Sequence, residues 1–341
     1  MKSIHEIFNR QYYKKSSWIL ILLPLSFIYL SIIFLRDWTY KFGILKSIKM
    51  NVPVVVIGNI TIGGTGKTPL AIWLIERLIK IGMKPGLICS GYNSSANLPQ
   101  EVFIDSQVHD VGDEPLMIKM RFKNRNIDLP IFVGKKKAHV GKAILNFYPK
   151  VNILISDDGL QHYELNRDFE IVVVDGNRGF GNRFLLPAGP LRENIARINE
   201  VDALVLNGVS KKKWFKQNRN MFHQMECKGD VFVNCLNSNR FSDLDSLKEK
   251  IVVVTGIGNP ERFFELLSSL NLQFNKKVIF NDHHLFSESD FKDYDDMDII
   301  MTEKDAVKCR KFAKENFWYI PIFTNVEEKL FIDMKKKLRL N

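Results

Sequence analysis

Residues 59–69 read Asn-Ile-Thr-Ile-Gly-Gly-Thr-Gly-Lys-Thr-Pro, a glycine-rich run closed by Gly66-Lys67-Thr68. These residue types suit a cradle for nucleotide phosphates. Gly63, Gly64 and Gly66, with Thr65 between them, let backbone N–H groups approach phosphate oxygens. A helix starting here adds partial positive charge, Lys67 reaches the β- and γ-phosphates, and Thr68 offers a hydroxyl to Mg²⁺. Thr61 stands where the G-x-x-x-x-G-K-[ST] pattern has its first glycine. Such a loop needs a partner carboxylate at the end of a second buried strand. Asp157 and Asp158 follow the apolar run Val151 to Ser156, at the strand end where open α/β sheets bind their ligands. Asp-Gly is also a common turn pair, but two adjacent carboxylates behind a purely apolar run are harder to read as a turn alone.

The elements that position these groups are legible in the same stretch. Asn51 to Gly58 is a β-branched apolar run of the kind buried on both faces of a parallel sheet. Beyond the loop, Ile72, Ile75, Leu78 and Ile79 fall at helical spacing, and Gly82 ends the helix. Further strands are expected at Lys84 to Ser90, Leu129 to Val133 and Glu170 to Val174, the last ending in Asp175, with helices over Asp113 to Phe122 and Lys136 to Phe147. Alternating β and α predicts a P-loop NTPase-like, mostly parallel sheet flanked by helices. A smaller α/β module begins near Lys250, with strand, Gly256-Ile257-Gly258 turn and helix, then Asp282-His283-His284 and Thr302-Glu303-Lys304-Asp305. The turn lacks the third glycine of a dinucleotide fingerprint.

Other polar groups carry two readings each. Asp113 and Glu114, in Gly112-Asp113-Glu114-Pro115, can cap a helix start or serve a site. His283 is better held by a carboxylate than placed in a zinc site, since no third ligand lies nearby. Leu186 to Glu193, with two prolines and a glycine, is a rigid loop presenting Arg192, with Arg197 beyond it. Lys211, Lys212, Lys213 and Lys216 surround Trp214 and Phe215, a mixture that suits an anionic membrane interface or a solvated loop.

The 341 residues suffice for about two domains. The divisions expected are a membrane-anchoring helix over 1–40, a P-loop domain over 41–245 and a smaller α/β domain over 246–341. Composition is 45% hydrophobic and 26% charged, which excludes wholesale disorder. The net charge of +11 favours an anionic partner without choosing one. Cys89, Cys227, Cys235 and Cys309 are scattered and indicate neither disulfides nor zinc. From Ser17 to Leu35 the chain carries no charge for nineteen residues, about 28 Å of helix, the lower limit for crossing a bilayer. Pro24 is expected to kink it, and Trp18, Tyr29 and Trp38 suit headgroup depth. Lysines and arginines balance across the run, so the sequence does not orient it.

Taken in order, NITIGGTGKTP, GDEP, SDDGLQHY, LPAGPLRE, TGIGNPERF, NDHH and TEKD behind an apolar N-terminal segment resemble the tetraacyldisaccharide 4′-kinase family. The resemblance runs from about residue 10 to the C-terminus. It implies transfer of the ATP γ-phosphate to the 4′-hydroxyl of an acylated disaccharide 1-phosphate, forming lipid IVA in lipid A synthesis. It also implies Mg²⁺ and work at the cytoplasmic face of an inner membrane, with the helix embedded but not necessarily crossing. No nucleic-acid partner is expected, and the chain is expected to act as a monomer. Carried across by motif, Lys67 and Thr68 serve phosphate and Mg²⁺, Asp157 and Asp158 the metal and site geometry, Asp113 is the general base with His283 its partner, and Glu114 neighbours the metal.

Two positions depart from the family pattern. Ser90, before Gly91-Tyr92, and Lys137 stand where arginines are usual, which bears on substrate affinity rather than reaction type. Two alternatives remain open. A nucleotide switch or metallochaperone GTPase is disfavoured because Thr302-Glu303-Lys304-Asp305 does not match the guanine-reading N/T-K-x-D spacing. A non-catalytic anchor protein would leave the carboxylate and histidine motifs without a use.

Overall fold

Apolar runs without polar alternation bury themselves on both faces of a sheet, and the chain is built around several of them. The computed structural model describes residues 12–13, 18–90, 98–243, 247 and 249–340. In chain order the main elements are α1 (Leu23–Lys41), β1 (Val54–Gly58), α2 (Lys67–Lys80), β2 (Pro85–Cys89), β3 (Gln100–Glu101), α3 (Asp113–Lys123), β4 (Ile131–Val133), α4 (Lys137–Phe147), β5 (Ile153–Asp157), β6 (Phe169–Asp175), β7 (Ala203–Asn207) and β8 (Phe222–Lys228). There follow β9 (Phe232–Asn234), β10 (Phe241–Ser242), β11 (Ile251–Thr255), α5 (Pro260–Ser269), β12 (Lys276–Ile279), β13 (Asp298–Thr302), α6 (Glu303–Cys309), β14 (Phe317–Ile320) and α7 (Glu328–Leu338).

Two compact units result, both discontinuous in sequence. One comprises Met1–Ser90, Lys136–Glu226 and Val326–Asn341; the other comprises Gly91–Lys135 and Cys227–Asn325. This differs from the expected succession 1–40, 41–245 and 246–341. The excursion after β2 carries α3, which the second unit claims through an ion pair of Arg121 with Glu303 on α6 at 3.1 Å. Arg310 likewise donates to the Ser106 carbonyl at 2.8 Å.

In the first unit six parallel strands lie in the order β2-β5-β1-β6-β7-β8. Every residue of β1, β2, β5, β6 and β7 is buried. The phosphate loop leaves the central strand β1, and the register sets Ile57 beside Asp157 on β5. That placement puts Gly58, Asp157 and Asp175 at the carboxyl ends of three adjacent strands, the edge where ligands bind. Leu70, Leu74, Ile75 and Leu78 of α2 are wholly buried and hold its N-terminus at that edge.

Helix α1 belongs to this unit. Pro24 does not kink its interior: a 3₁₀ turn (Trp18–Leu22) leads in, and proline falls in the first turn of α1, where its missing N–H costs nothing. The helix Ile19–Lys41 is long and apolar enough to cross a membrane by length and composition. Most of its surface is bare, with Ile21, Phe27, Ile28, Ile32, Phe34 and Leu35 all exposed.

In the second unit the sheet order is β10-β9-β14-β13-β11-β12, with β14, β13, β11 and β12 parallel and β9 and β10 antiparallel. Alternation along β11 serves two cores: Val252 and Val254 pack with Met301 and Phe286, whereas Ile251 and Val253 pack with Phe263 and Leu267 of α5. β3 and β4 pair with each other antiparallel.

Candidate active site

The phosphate loop is held from within. Asn59, fully buried at the end of β1, donates to the Thr61 carbonyl at 2.7 Å and accepts from Lys67 Nζ at 3.2 Å. Thr61 needs no glycine, because its backbone makes an antiparallel bridge to Leu191. Gly66 does: its φ is +100° and a Cβ would come within 2.2 Å of Asn207 Nδ2, which donates to the Thr65 carbonyl at 2.9 Å. Asp175 accepts from the Arg178 backbone N–H at 2.9 Å and pairs with its guanidinium at 3.4 Å. Arg178 in turn donates to the Gly64 carbonyl. The first turn of α2 therefore presents Lys67 and Thr68 at the mouth of a rigid loop, at the positive end of the helix dipole.

At the end of β5 the two aspartates divide the work. Asp157 is buried and accepts the Thr68 hydroxyl at 3.0 Å. Asp158 adopts φ +51° and faces cations, with Lys67 Nζ and Arg192 Nη1 each at 3.5 Å. Burial works to raise Asp158, but Lys67, Arg192 and Lys137 outweigh it and hold the carboxyl at about 2. Lys137 is fully buried, and its ammonium donates to the Asp157 carbonyl. Burial lowers its basicity against the opposing pull of Cys89, Asp158, Asp157 and Glu164.

The second unit carries its own cluster. Asp113 opens α3, only 4% exposed, with one carboxylate oxygen accepting the Glu114 N–H at 2.9 Å and the other 2.9 Å from His283 Nδ1. The helix has Gly112 at its N-cap and no side-chain cap bond, so Asp113 binds the adjacent N–H within the first turn and turns its second oxygen to His283. Burial alone would raise Asp113; the hydrogen bond to His283 and the charges of Lys304, His283 and Lys308 hold it below the usual carboxylate range. An ionised carboxylate only accepts, so His283 Nδ1 carries the proton in this pair. His283 is raised, first by its bond to Asp113, against burial and Lys304. Its backbone lies in the left-handed region, with φ +60°. Lys304 lies 3.3 Å from Glu114, 3.7 Å from Asp113 and 3.9 Å from Asp282, and these acids raise its basicity over the cost of burial.

The expected residues therefore fall into two groups. Thr61, Gly63, Gly64, Thr65, Gly66, Lys67, Thr68, Asp157 and Asp158 gather at the carboxyl ends of β1 and β5 in the first unit, and Asp113, Glu114 and His283 gather in the second. Asn59, Arg178 and Lys304 were not singled out, and Lys137 was read only as a departure from a pattern. Asn59 directly follows the strand and Lys304 sits within the Thr-Glu-Lys-Asp run, but neither bears a local mark of its partners.

One other expectation changes. Phe215 is core, packed with Trp214, Phe180 and Phe222, so these aromatics do not serve a membrane interface. His284 pairs with Asp290 at 3.3 Å and stacks on Phe280. Gly256 donates its N–H to Asp305 at 3.1 Å, a structural turn. Gly91 and Tyr92, part of the departure at Ser90, and Lys14 and Lys15 flanking the apolar run, lie outside the described residues.

A buried parallel strand, a Gly-Lys-Thr loop at a helix N-terminus and a carboxylate on the neighbouring strand define a P-loop nucleotide-binding enzyme. The sequence profile described as "Tetraacyldisaccharide-1-P 4'-kinase" (LpxK) matches residues 18–339. The chain belongs to that family. It is 41% identical over 322 residues to the tetraacyldisaccharide 4′-kinase of Methylobacillus flagellatus, covering 94% of this chain and 92% of that one. To the enzyme of the same name from Francisella tularensis subsp. novicida it is 39% identical over 310 residues, covering 90% and 94%. The crystal structure of LpxK from Aquifex aeolicus in complex with ATP superposes with a TM-score of 0.75 at 25% identity, covering 94% of this chain and all of that one.

Proposed function

We propose that this chain transfers the γ-phosphate of ATP to the 4′-hydroxyl of an acylated disaccharide 1-phosphate, a step of lipid A synthesis that forms lipid IVA. The observation that carries the reading is Lys67, set at the first turn of α2 between Asn59 at 3.2 Å and Asp158 at 3.5 Å, a cation placed for a triphosphate. ATP is supported by its presence in the Aquifex aeolicus relative.

In this reading the P–O bond between the β- and γ-phosphates breaks as the sugar oxygen bonds the γ-phosphorus, and ADP leaves. The loop amides and Lys67 offset the negative charge that develops. Asp113 accepts the hydroxyl proton as the new bond forms, and His283, donating from Nδ1, orients the carboxylate. An alcohol is a very weak acid, so this base acts mainly in the transition state, while most of the acceleration comes from positioning and charge.

The donor set fits Mg²⁺. Thr68 Oγ1 and Asp157 Oδ2, 3.0 Å apart, are hard oxygens of the kind this ion takes, alongside substrate phosphates and water. Among the described residues no group of three or more His, Cys, Asp or Glu could hold a metal. When bound, the ion would neutralise phosphate charge. Glu114 is assigned to the metal's surroundings by the family resemblance.

The bare apolar surface of α1 fits a substrate whose acyl chains remain in a bilayer. We place the helix in the inner membrane with the catalytic units on the cytoplasmic side, where ATP is found. Incubating the protein with radiolabelled ATP and detergent-dispersed lipid acceptor tests the function. Labelled lipid is expected; hydrolysis without labelled lipid would indicate a nucleotide switch, and neither would indicate a binding protein.

A further inference from the structure

A membrane anchor has no need of hydrogen bonds to the loops of its own catalytic unit, yet α1 makes a line of them. The buried positions of the apolar helix recur every seven residues, at Ile19, Ser26 and Ile33. Ser26, the polar member, donates to the Leu185 carbonyl at 2.9 Å and accepts from the Ala188 N–H at 3.0 Å. One turn on, the Tyr29 hydroxyl donates to the Arg192 carbonyl at 3.1 Å. Two turns further, Arg36 pairs with Glu193 at 2.8 Å, and that carboxylate is 2% exposed.

The loop so held is itself laced to the phosphate loop. Arg192 N–H donates to the Ile60 carbonyl at 2.7 Å, and Ile62 N–H donates to the Pro190 carbonyl at 2.8 Å. Arg192 also carries the guanidinium that faces Asp158 at 3.5 Å. A continuous chain of contacts thus runs from the helix, through residues 185–193, to the loop that presents Lys67.

We propose that α1 is a brace as well as an anchor: through Ser26, Tyr29 and Arg36 it fixes the 185–193 loop, and so sets Arg192 and the phosphate loop for phosphoryl transfer. These three are positioning residues, for they act through Arg192 and the loop backbone. Burial raises Glu193 against the opposing charge of Arg36, which accords with a pair whose partner cannot be removed cheaply. The exposed face of the helix and its buried stripe then have separate duties, membrane contact for one and loop geometry for the other. The kinetic part of this inference rests on the function proposed above; the structural part does not.

The test uses the full chain with Ser26→Ala/Tyr29→Phe, which removes two hydroxyls and no bulk, and with Arg36→Met and Arg36→Lys. Hydrogen–deuterium exchange is read on peptides covering 59–66 and 185–193. Faster exchange is expected in both for Ser26→Ala/Tyr29→Phe and Arg36→Met, with Arg36→Lys close to wild type. Transfer to detergent-dispersed acceptor should fall about tenfold in kcat, with sedimentation on phosphatidylglycerol-containing vesicles unchanged. In an Arg192→Ala background the same substitutions should cost less than they do alone, because part of the brace acts through that side chain and the rest through the loop backbone. Unchanged exchange in both peptides overturns the brace, as does a full additional loss of kcat on top of Arg192→Ala. Faster exchange in a protein whose wild type transfers no phosphate would support the brace and overturn the proposed function.

Discussion

His283 Nδ1 lies 2.9 Å from Asp113 Oδ2, joining a turn after β12 to the first residue of α3 across 170 positions of sequence. Because the bond and the neighbouring cations hold Asp113 below the ordinary carboxylate range, its carboxylate stays ionised through mildly acidic pH. His283→Ala removes the donor and with it the largest of the lowering influences, so Asp113 should titrate higher. The acid limb of kcat/KM should move to higher pH, by less than complete loss of the cluster would cause, since Lys304 and Lys308 remain. The same signs apply to stability. Asp113's contribution is present above its unfolded pKa and lost as pH falls through its lowered folded value. His283's is full below about pH 6.5 and lost as pH rises through its raised one. A pH–rate profile of the variant whose acid limb coincides with wild type would refute the coupling.

Asp113→Asn and Lys67→Ala should fail in different ways. Asparagine keeps the shape of Asp113 but cannot take a proton, so kcat should drop by about 10²- to 10⁴-fold with the KM for ATP nearly unchanged. Lys67→Ala withdraws the cation that we propose for the triphosphate and should abolish measurable transfer. Steady-state kinetics at saturating acceptor separate the two. Near-normal turnover by Asp113→Asn would remove that residue from the chemistry.

Much of the first unit was readable because its signals are local. The run ending at Gly58 has no polar alternation, so it had to be a doubly covered strand, and Gly66-Lys67-Thr68 before a periodic apolar helix announces its own geometry. Asp157 was identifiable for the same reason. What escaped was long-range. Nothing in residues 91–135 marks their departure to the second unit, because Arg121 and Glu303 look like any surface charges until the ion pair forms at 3.1 Å. Lys304 gathers acids from two segments distant in sequence. Ser26 reads as a tolerated polar residue in an apolar helix, and only the fold shows Leu185 and Ala188 beside it.

Lys137 stands where the family resemblance leads one to expect arginine, and its position makes the substitution testable. The buried ammonium donates to the Asp157 carbonyl and is one of three cations that hold Asp158 ionised. Lys137→Met keeps the bulk and removes that donor and its charge from a buried site. We expect kcat to fall about 10- to 100-fold with the fold retained by circular dichroism. Lys137→Arg should keep more activity than Lys137→Met, because it retains the charge and a donor. Equal turnover for Lys137→Met and wild type would mean that the ammonium serves packing alone.

The exposed face of α1 should govern membrane attachment independently of catalysis. Phe27 and Phe34 are 66% and 67% exposed, and Ile28 and Leu35 flank them at 59% and 60%. Burying side chains of this size in the acyl boundary is worth about 1.5–3 kcal/mol each at full burial. Replacing Phe27 and Phe34 with serine should therefore weaken vesicle binding by at least tenfold while leaving the contacts of Ser26, Tyr29 and Arg36 in place. Sedimentation with vesicles across a lipid titration measures the change. If the double variant sediments as tightly as wild type, another surface of the molecule supplies the attachment.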